Sequence, residues 1–360
     1  MTKLPNLDLF FTPILNEKNW WLKLCKELNL DMDSGWPDRF GQRINQWAIQ
    51  EKVSIKTLSL FSGGGGLDIG FADAGFEIIE QVEIDSRFAQ TLENNKELHH
   101  AKVRCIDIRE YEPSDDLVVD MIIGGPPCQT FSAAGRRSAG VKGTTDPRGT
   151  LFQEYVRLLQ KLKPKAFLFE NVAGILGAEK GEAWKAIINA FQEAGYKVHW
   201  KLLDAADYGV PQHRERVFIV GVREEGFKFP RPTHGPDANA NYYTAKEATE
   251  SLDLSESIKK SQINGRWSHL IPEIPPGLNY SYYTAEMGHP QPIFAWRSKF
   301  SDFMYKADPD TPVRTIKAQG GQYTGPFSWE NRHFDVAELK RLQTFPDAYL
   351  LDGKRNVQIH

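Results

Sequence analysis

The chain has 360 residues, with 44 Lys and Arg against 47 Asp and Glu and a formal net charge of −3. At 41% hydrophobic and 25% charged residues its composition is that of an ordinary globular protein, and no apolar run approaches the roughly 20 residues of a membrane span. The overall charge does not mark a nucleic-acid binder, so any such binding must come from a local patch.

In chain order, residues 1–54 open on MTKLPNLDLFF, which lacks a signal peptide's basic region, apolar core and small-residue cleavage site. NWWLKLCKELNL and RFGQRINQWAIQ then read as amphipathic helices, their tryptophans as packing anchors. From Ile55 short β-rich runs recur: IKTLSLF, FEIIEQVE, VVDMIIG, KAFLFEN, YKVHWKLL and RVFIVGV. Helical stretches separate them, among them SRFAQTLENNKE, TLFQEYVRLLQKL and EAWKAIINAFQEAG. This alternation predicts an α/β fold with a doubly wound, mostly parallel sheet over residues 55–222. Residues 223–309 are rich in Pro, Tyr, Ser and Asn and weakly periodic, as expected of a smaller irregular domain. Residues 310–360 return with FDVAELKRLQTFPDAY, a helix with Asp335 as N-cap and Pro346 past its end. No internal repeat is evident. The three cysteines, Cys25, Cys105 and Cys128, form no CxxC pair. That argues against a disulfide scaffold or a zinc site and for a reducing, cytoplasmic setting.

The first strand ends in FSGGGGLDIGF, where glycine lets the backbone approach a ligand and starts a helix facing it. Gly64, Gly66 and Gly70 do not make the dinucleotide G-x-G-x-x-G, and alone such a turn is a weak signal. Glu83 ends the next strand, at the separation where an acid binds ribose hydroxyls, and Asp107 follows the third strand, where an adenine amino group would be met. Together they describe an adenosine site without a pyrophosphate, which suits S-adenosylmethionine better than NAD. In GGPPCQTFS, Pro126 and Pro127 fix the backbone and hold Cys128 at a strand end, where ligands bind in such sheets. A thiol so placed suggests a nucleophile, although a structural cysteine is the commoner fate of the residue. Glu170 ends the apolar strand FLFENV, a costly place for a carboxylate without work or a partner. Arg214 and Arg216 in QHRER alternate along a strand and so can face one site.

These motifs, in this order, resemble the DNA (cytosine-5)-methyltransferase family of bacterial restriction–modification systems. FSGGGGLDIGF is similar to the family's first motif, PPCQTFS to its catalytic motif, ENV to its carboxylate motif and QHRERVFIVG to its arginine motif. TPVRTIKAQ with ELKRLQTFPDAY is similar to its late motif, and the likeness covers about residues 55–222 and 310–349. The resemblance implies the S-adenosylmethionine-dependent methyltransferase fold, with residues 223–309 as target-recognition domain. It implies a cofactor pocket of Phe61, Ser62, Gly63, Gly64, Gly66, Leu67, Glu83, Ile84, Asp107, Ile108, Gly125, Pro127 and Leu151. No metal is implied, and the enzyme is expected to act as a monomer on duplex DNA, with a restriction or defence enzyme as cognate partner.

The mechanism implied is addition of the Cys128 thiolate to carbon 6 of cytosine, which makes carbon 5 nucleophilic. A protonated Glu170 would donate to ring nitrogen 3, while Arg216, with Arg214 beside it, would hold the base's oxygen. The base must be flipped out of the duplex to be reached. After Cys128, the stretch to residue 149 is rich in Gly and Ser and carries Arg136, Arg137, Lys142 and Arg148 against Asp146. The resemblance makes it the loop that closes on DNA, with Gln129, Ser132, Arg136, Arg137, Lys142 and Arg148 as contacts. Trp267, Tyr282, Tyr283 and Gln291 are weighed equally as base contacts and as core. The family's final G-N-S-V-P-like turn is not found before the chain stops at NVQIH, so the expectation is either a truncated chain or a partner that supplies the piece. A transfer-RNA cytosine methyltransferase of the same fold is the alternative activity.

Overall fold

The computed structural model describes residues 55–95, 100–127, 151–224, 226–236, 238, 240–254, 261–298, 300–317, 321–353 and 355–358. The expected N-terminal helices and everything expected of residues 128–150 lie outside these.

Seven strands form one sheet in the order β3-β2-β1-β4-β5-β8-β6. They are β1 (Ile55–Leu60), β2 (Phe76–Glu83), β3 (Lys102–Cys105), β4 (Met121–Gly124), β5 (Ala166–Val172), β6 (Lys197–Asp204) and β8 (Glu215–Val222). The first five run parallel, and β8 is antiparallel to both β5 and β6. The doubly wound, mostly parallel sheet is therefore the one expected. Of VVDMIIG only the last four residues are strand. Asp120 ends the preceding segment because its carboxylate accepts from the Lys56 N–H at 3.1 Å and pairs with Lys165 at 2.8 Å. Val118 is exposed there rather than in the sheet.

Helices α1 (Gly66–Asp73), α2 (Ser86–Asn94), α3 (Leu151–Leu162) and α4 (Glu182–Glu193) connect the strands. On one face Tyr155, Leu158 and Leu159 of α3 and Ile187 and Phe191 of α4 meet Leu58, Ile122, Phe167 and Phe169 of the sheet. On the other, Phe71 and Ala72 of α1 pack on Ile78, Met121 and Ile123. Burying both faces is what near-continuous apolar strands require.

Beyond β8 the chain is mostly turns. A second core of Ile263, Leu270, Ile271, Ile274, Tyr280, Tyr283, Met304 and Phe327 is built on short 3-10 turns, Ser268–Glu273 and Tyr280–Tyr283 among them. Edge-to-face aromatic pairs such as Tyr280–Phe294 and Phe294–Phe303 supply its packing. Around it lie the short helix α5 (Ala245–Thr249), then α6 (Val336–Leu342) and α7 (Arg355–Gln358). Asp335 caps α6 through a capping box with Glu338, as its sequence position suggests. A two-residue strand β9 (Val313–Arg314) pairs in parallel with β7 (Gln212–His213), which brings the late part of the chain beside the arginine motif. Among the described residues no helix is long and apolar enough to cross a membrane, and no cluster of His, Cys, Asp and Glu could hold a metal.

Candidate active site

Strand register lines up the candidate residues. Leu60 of β1 lies opposite Val82 of β2 and Gly124 of β4, and Gly124 lies opposite Phe169 of β5. The next residue of each strand's path, Phe61, Glu83, Gly125 and Glu170, therefore stands in one row along the carboxyl edge. At about 4.8 Å per strand this row spans roughly 14 Å, long enough for a nucleoside at one end and a second reactant at the other.

At the β1–β2 end, Phe61 takes a left-handed φ of 55° and turns the chain into the glycine loop. The Ser62 hydroxyl bonds back to Ser59 Oγ at 2.9 Å. The Glu83 carboxylate accepts from Gly63 N at 2.8 Å and from Asp85 N at 2.8 Å, so the loop is tied to the acid rather than merely near it. Each carboxylate oxygen keeps a second lone pair. Ile84, beside it, is 63% exposed, an apolar surface next to an acid and backbone N–H groups. Leu67 is half-buried against the sheet. Asp107 follows β3 as placed, but both its oxygens bond the Arg109 guanidinium, which holds the carboxyl below the usual range. An adenine contact there would share the carboxylate with Arg109. The Ile108 side chain is in the core, which leaves only its backbone for a ligand. Leu151 opens α3, half-buried against the same core.

At the β4–β5 end, Glu170 and Arg216 form an ion pair, Oε1 to Nε 2.9 Å. Burial raises the Glu170 carboxyl above its ordinary value, and Arg216 and Arg214 pull it part of the way back. Burial and the charge of Arg216 lower Arg214 to about 10. The charges of both arginines thus act on one acid, Arg216 by direct pairing, while Arg214 lies before β8 and its backbone N–H donates to Asp204 Oδ1 at 2.7 Å. Gly125 packs directly on the acid: a Cβ there would lie 2.7 Å from Glu170 Oε2. Pro127 is exposed at the end of this turn. Cys128, Gln129, Ser132, Arg136, Arg137, Lys142 and Arg148 lie outside the described residues.

Three contributors escape sequence reasoning. Asn171, buried next to the acid, donates from Nδ2 to the Pro126 carbonyl at 3.0 Å and so fastens the turn that leads to Cys128. Gln212 of β7, fully buried, donates to the Leu342 carbonyl at 3.3 Å and accepts from Ile316 N at 3.2 Å, joining the arginine motif to α6 and β9. Tyr349 donates to the Gly64 carbonyl at 2.8 Å and fills the space beside Gly65, whose φ of 84° and missing Cβ are both needed. Beneath the loop, Asp68 is fully buried, accepts from Gln81 Nε2 at 3.0 Å, and is raised to about 6 mainly by that burial.

With this geometry in view, the comparisons decide the family. The C-5 cytosine-specific DNA methylase family model matches residues 55–360. The chain belongs to that family. It is a DNA (cytosine-5-)-methyltransferase, and the family implies a methyl donor and a DNA substrate. It is 35% identical over 344 residues to the type II methyltransferase M.SacI of Streptomyces achromogenes, covering 84% of this chain and 87% of that one. It is 40% identical over 313 residues to M.FnuDI of Fusobacterium nucleatum, covering 82% and 85%. Its fold is like that of a putative DNA modification methyltransferase encoded within an E. coli prophage, with TM-score 0.57, 24% identity, and coverage of 82% and 90%. It is also like that of a Spodoptera frugiperda DNMT2 mutant, with TM-score 0.54, 19% identity, and coverage of 85% and 94%.

Tyr349 offers a clean test of how the family's late motif serves the glycine loop. Tyr349→Phe removes one neutral hydrogen bond, worth about 0.5–1.5 kcal/mol. It is expected to weaken methyl-donor binding about two- to tenfold by calorimetry and to leave duplex affinity unchanged.

Proposed function

We propose that the enzyme transfers the methyl group of S-adenosylmethionine to carbon 5 of a flipped-out cytosine in a specific duplex DNA sequence. Cys128 forms a covalent bond to carbon 6 in the course of the reaction. The observation that carries this reading is the half-buried Glu170 carboxyl against Gly125, paired with Arg216 and under the charge of Arg214, at the turn that runs into Cys128.

The β1–β2 end fits the donor's adenosine. Glu83 presents lone pairs for ribose hydroxyls, exposed Ile84 offers an apolar face for the base, and the loop at Gly63 and Gly65 brings backbone close. S-adenosylmethionine supplies the electrophilic methyl. The protein's own groups do the rest. The Cys128 thiolate adds to carbon 6 and breaks the ring's aromaticity, Glu170 as the acid donates its proton to nitrogen 3, and Arg216 holds the O2 oxygen as negative charge spreads onto it. Carbon 5 then takes the methyl, with S-adenosylhomocysteine as leaving group; its proton passes to water, the Cys128–carbon 6 bond breaks to give back the thiolate, and nitrogen 3 returns its proton to Glu170 as the ring is restored. Residues 129–149 are the segment we assign to closing over the DNA, and residues 223–309 to target recognition. By the names of its relatives, the enzyme is the modification half of a type II restriction–modification pair.

Tritium transfer from labelled S-adenosylmethionine to duplex DNA, with transfer RNA as competing acceptor, tests the reading. Label is expected in DNA alone, at cytosine carbon 5, and label in transfer RNA alone would replace it with the RNA activity. Glu83→Ala is expected to weaken S-adenosylmethionine binding about 10- to 150-fold, from loss of one charge-assisted bond of about 1.5–3 kcal/mol. An unchanged dissociation constant would move the ribose contact elsewhere.

A further inference from the structure

Between the 3-10 turn Ala285–Met287 and Ser301 the surface is unusually apolar. Met287, Ile293, Trp296 and Phe300 are 53%, 44%, 55% and 43% exposed. Single exposed apolar residues are ordinary, but several in one short segment mark a contact surface.

The segment is held in place. The Tyr280 hydroxyl accepts from Arg297 N at 2.7 Å and donates to Arg297 O at 2.9 Å. Ile293 N donates to the Tyr283 carbonyl at 2.9 Å, and Asn279 Nδ2 to the Ser301 carbonyl at 2.7 Å. Phe294 packs into the second core. Backbone on both sides of Trp296 is thus tied to buried aromatic residues while the indole remains exposed. The entropy of ordering this stretch of backbone is already lost in the free protein, which favours binding.

Two cations flank the ridge. The Arg297 guanidinium lies 5.6 Å from the Phe300 ring centroid. Arg314 lies 4.0 Å over the Tyr305 ring and reaches the Ser301 carbonyl at 3.5 Å. Arg314 belongs to β9, where it pairs with His213, the residue before Arg214. The ridge is therefore connected to the active-site arginines through a single strand pair. Aromatic side chains interleaved with arginine and continuous with a base-modifying site match the chemistry of bases and phosphates: rings stack on or wedge between bases, and guanidinium groups hold the backbone.

We propose that Met287, Ile293, Trp296 and Phe300 form an aromatic and apolar ridge that enters a groove of the target duplex, with Trp296 against a base step and Arg297 and Arg314 on the flanking phosphates. Trp296 is thereby a specificity-determining residue. This rests on the DNA methyl-transfer reading above.

The test first maps the wild-type site by bisulfite sequencing of methylated DNA. Trp296→Ala and Trp296→Phe are then compared for KM and kcat on that site and on single-base variants of it, for duplex affinity, and for S-adenosylmethionine affinity. Trp296→Ala is expected to raise KM and the duplex dissociation constant about 5- to 150-fold, the range for one lost stacking contact. It is also expected to narrow the gap between the site and its variants. Trp296→Phe should recover most of both effects, and S-adenosylmethionine affinity should not move. Part of the tryptophan fluorescence quenching caused by duplex should be missing in Trp296→Phe. A Trp296→Ala enzyme with wild-type KM and wild-type site preference overturns the proposal. If wild type methylates no DNA, the methyl-transfer reading fails instead. Duplex affinity then still decides the ridge: equal affinity of wild type and Trp296→Ala overturns it, and weaker binding by the variant sustains it.

Discussion

Glu170→Gln is expected to lower kcat for methyl transfer by about 10²- to 10⁴-fold, the usual worth of a positioned general acid. The substitution keeps the side chain's shape, so Gly125 can still pack on it, and an amide oxygen remains for Arg216. What is lost is the acidic proton. Burial raises the carboxyl, which favours the protonated form that nitrogen 3 requires, and the two arginines oppose that only in part. The sign of the pH effect follows. The active protonated form is lost as pH rises through the raised pKa, so wild-type turnover should fall on the alkaline side. On the acid side it should fall as the Cys128 thiolate is protonated. In Glu170→Gln the alkaline limb assigned to the acid should vanish while the acid limb stays. A pH–rate profile of both enzymes at saturating DNA checks this, and a variant that keeps both limbs and near-normal kcat would remove Glu170 from acid catalysis. Melting curves separate this from misfolding, since the ion pair to Arg216 is replaced by a weaker bond.

The same acid shows how much of the site was legible in the sequence. Glu83 and Glu170 stand out because each follows an apolar run, and a charge there needs a purpose; Glu83 does end β2, whereas β5 runs two residues past Glu170 to Val172, where it still pairs with β8. Strand edges carried the fold in the same way: FEIIEQVE is β2 residue for residue. What stayed hidden was contact between distant parts of the chain. Tyr349 and Gly64 are 285 residues apart, and Asn171 reaches the Pro126 carbonyl across 45. No periodicity encodes such pairs. Asp107 was legible as an acid after a strand, but its claim by Arg109, two residues on, was not. In the irregular unit the aromatic residues could not be sorted from sequence. Tyr283, which the sequence leaves open between base contact and core, is 1% exposed and bonds the Leu270 carbonyl at 2.8 Å, whereas Trp296, which no sequence pattern marks, is among the exposed ones. Without a regular strand or helix there, no repeat distinguishes the face that packs from the face that meets solvent.

Cys128→Ser is expected to abolish methyl transfer, by on the order of 10⁴-fold or more, as loss of an enzymic nucleophile does. A serine hydroxyl is essentially un-ionised near neutral pH, whereas a thiol with an ordinary pKa near 8.5 is readily converted to thiolate beside arginines. The turn that leads to the cysteine is fixed, since Asn171 holds the Pro126 carbonyl at 3.0 Å and Gly125 abuts Glu170. Cys128 follows that turn two residues after Pro126 in sequence. The donor pocket we propose consists of the Phe61–Leu67 loop and Glu83, which the substitution leaves alone, so S-adenosylmethionine affinity by calorimetry should be unchanged. A duplex carrying 5-fluorocytosine at the target makes the covalent step visible. After methylation, carbon 5 bears fluorine instead of the proton that must leave, so the bond between Sγ and carbon 6 persists through denaturation. Wild type is expected to give this trapped complex and Cys128→Ser to give none. Trapping by the serine variant, or turnover within tenfold of wild type, would place the nucleophile elsewhere and leave Glu170 and the arginines as binding groups for the base.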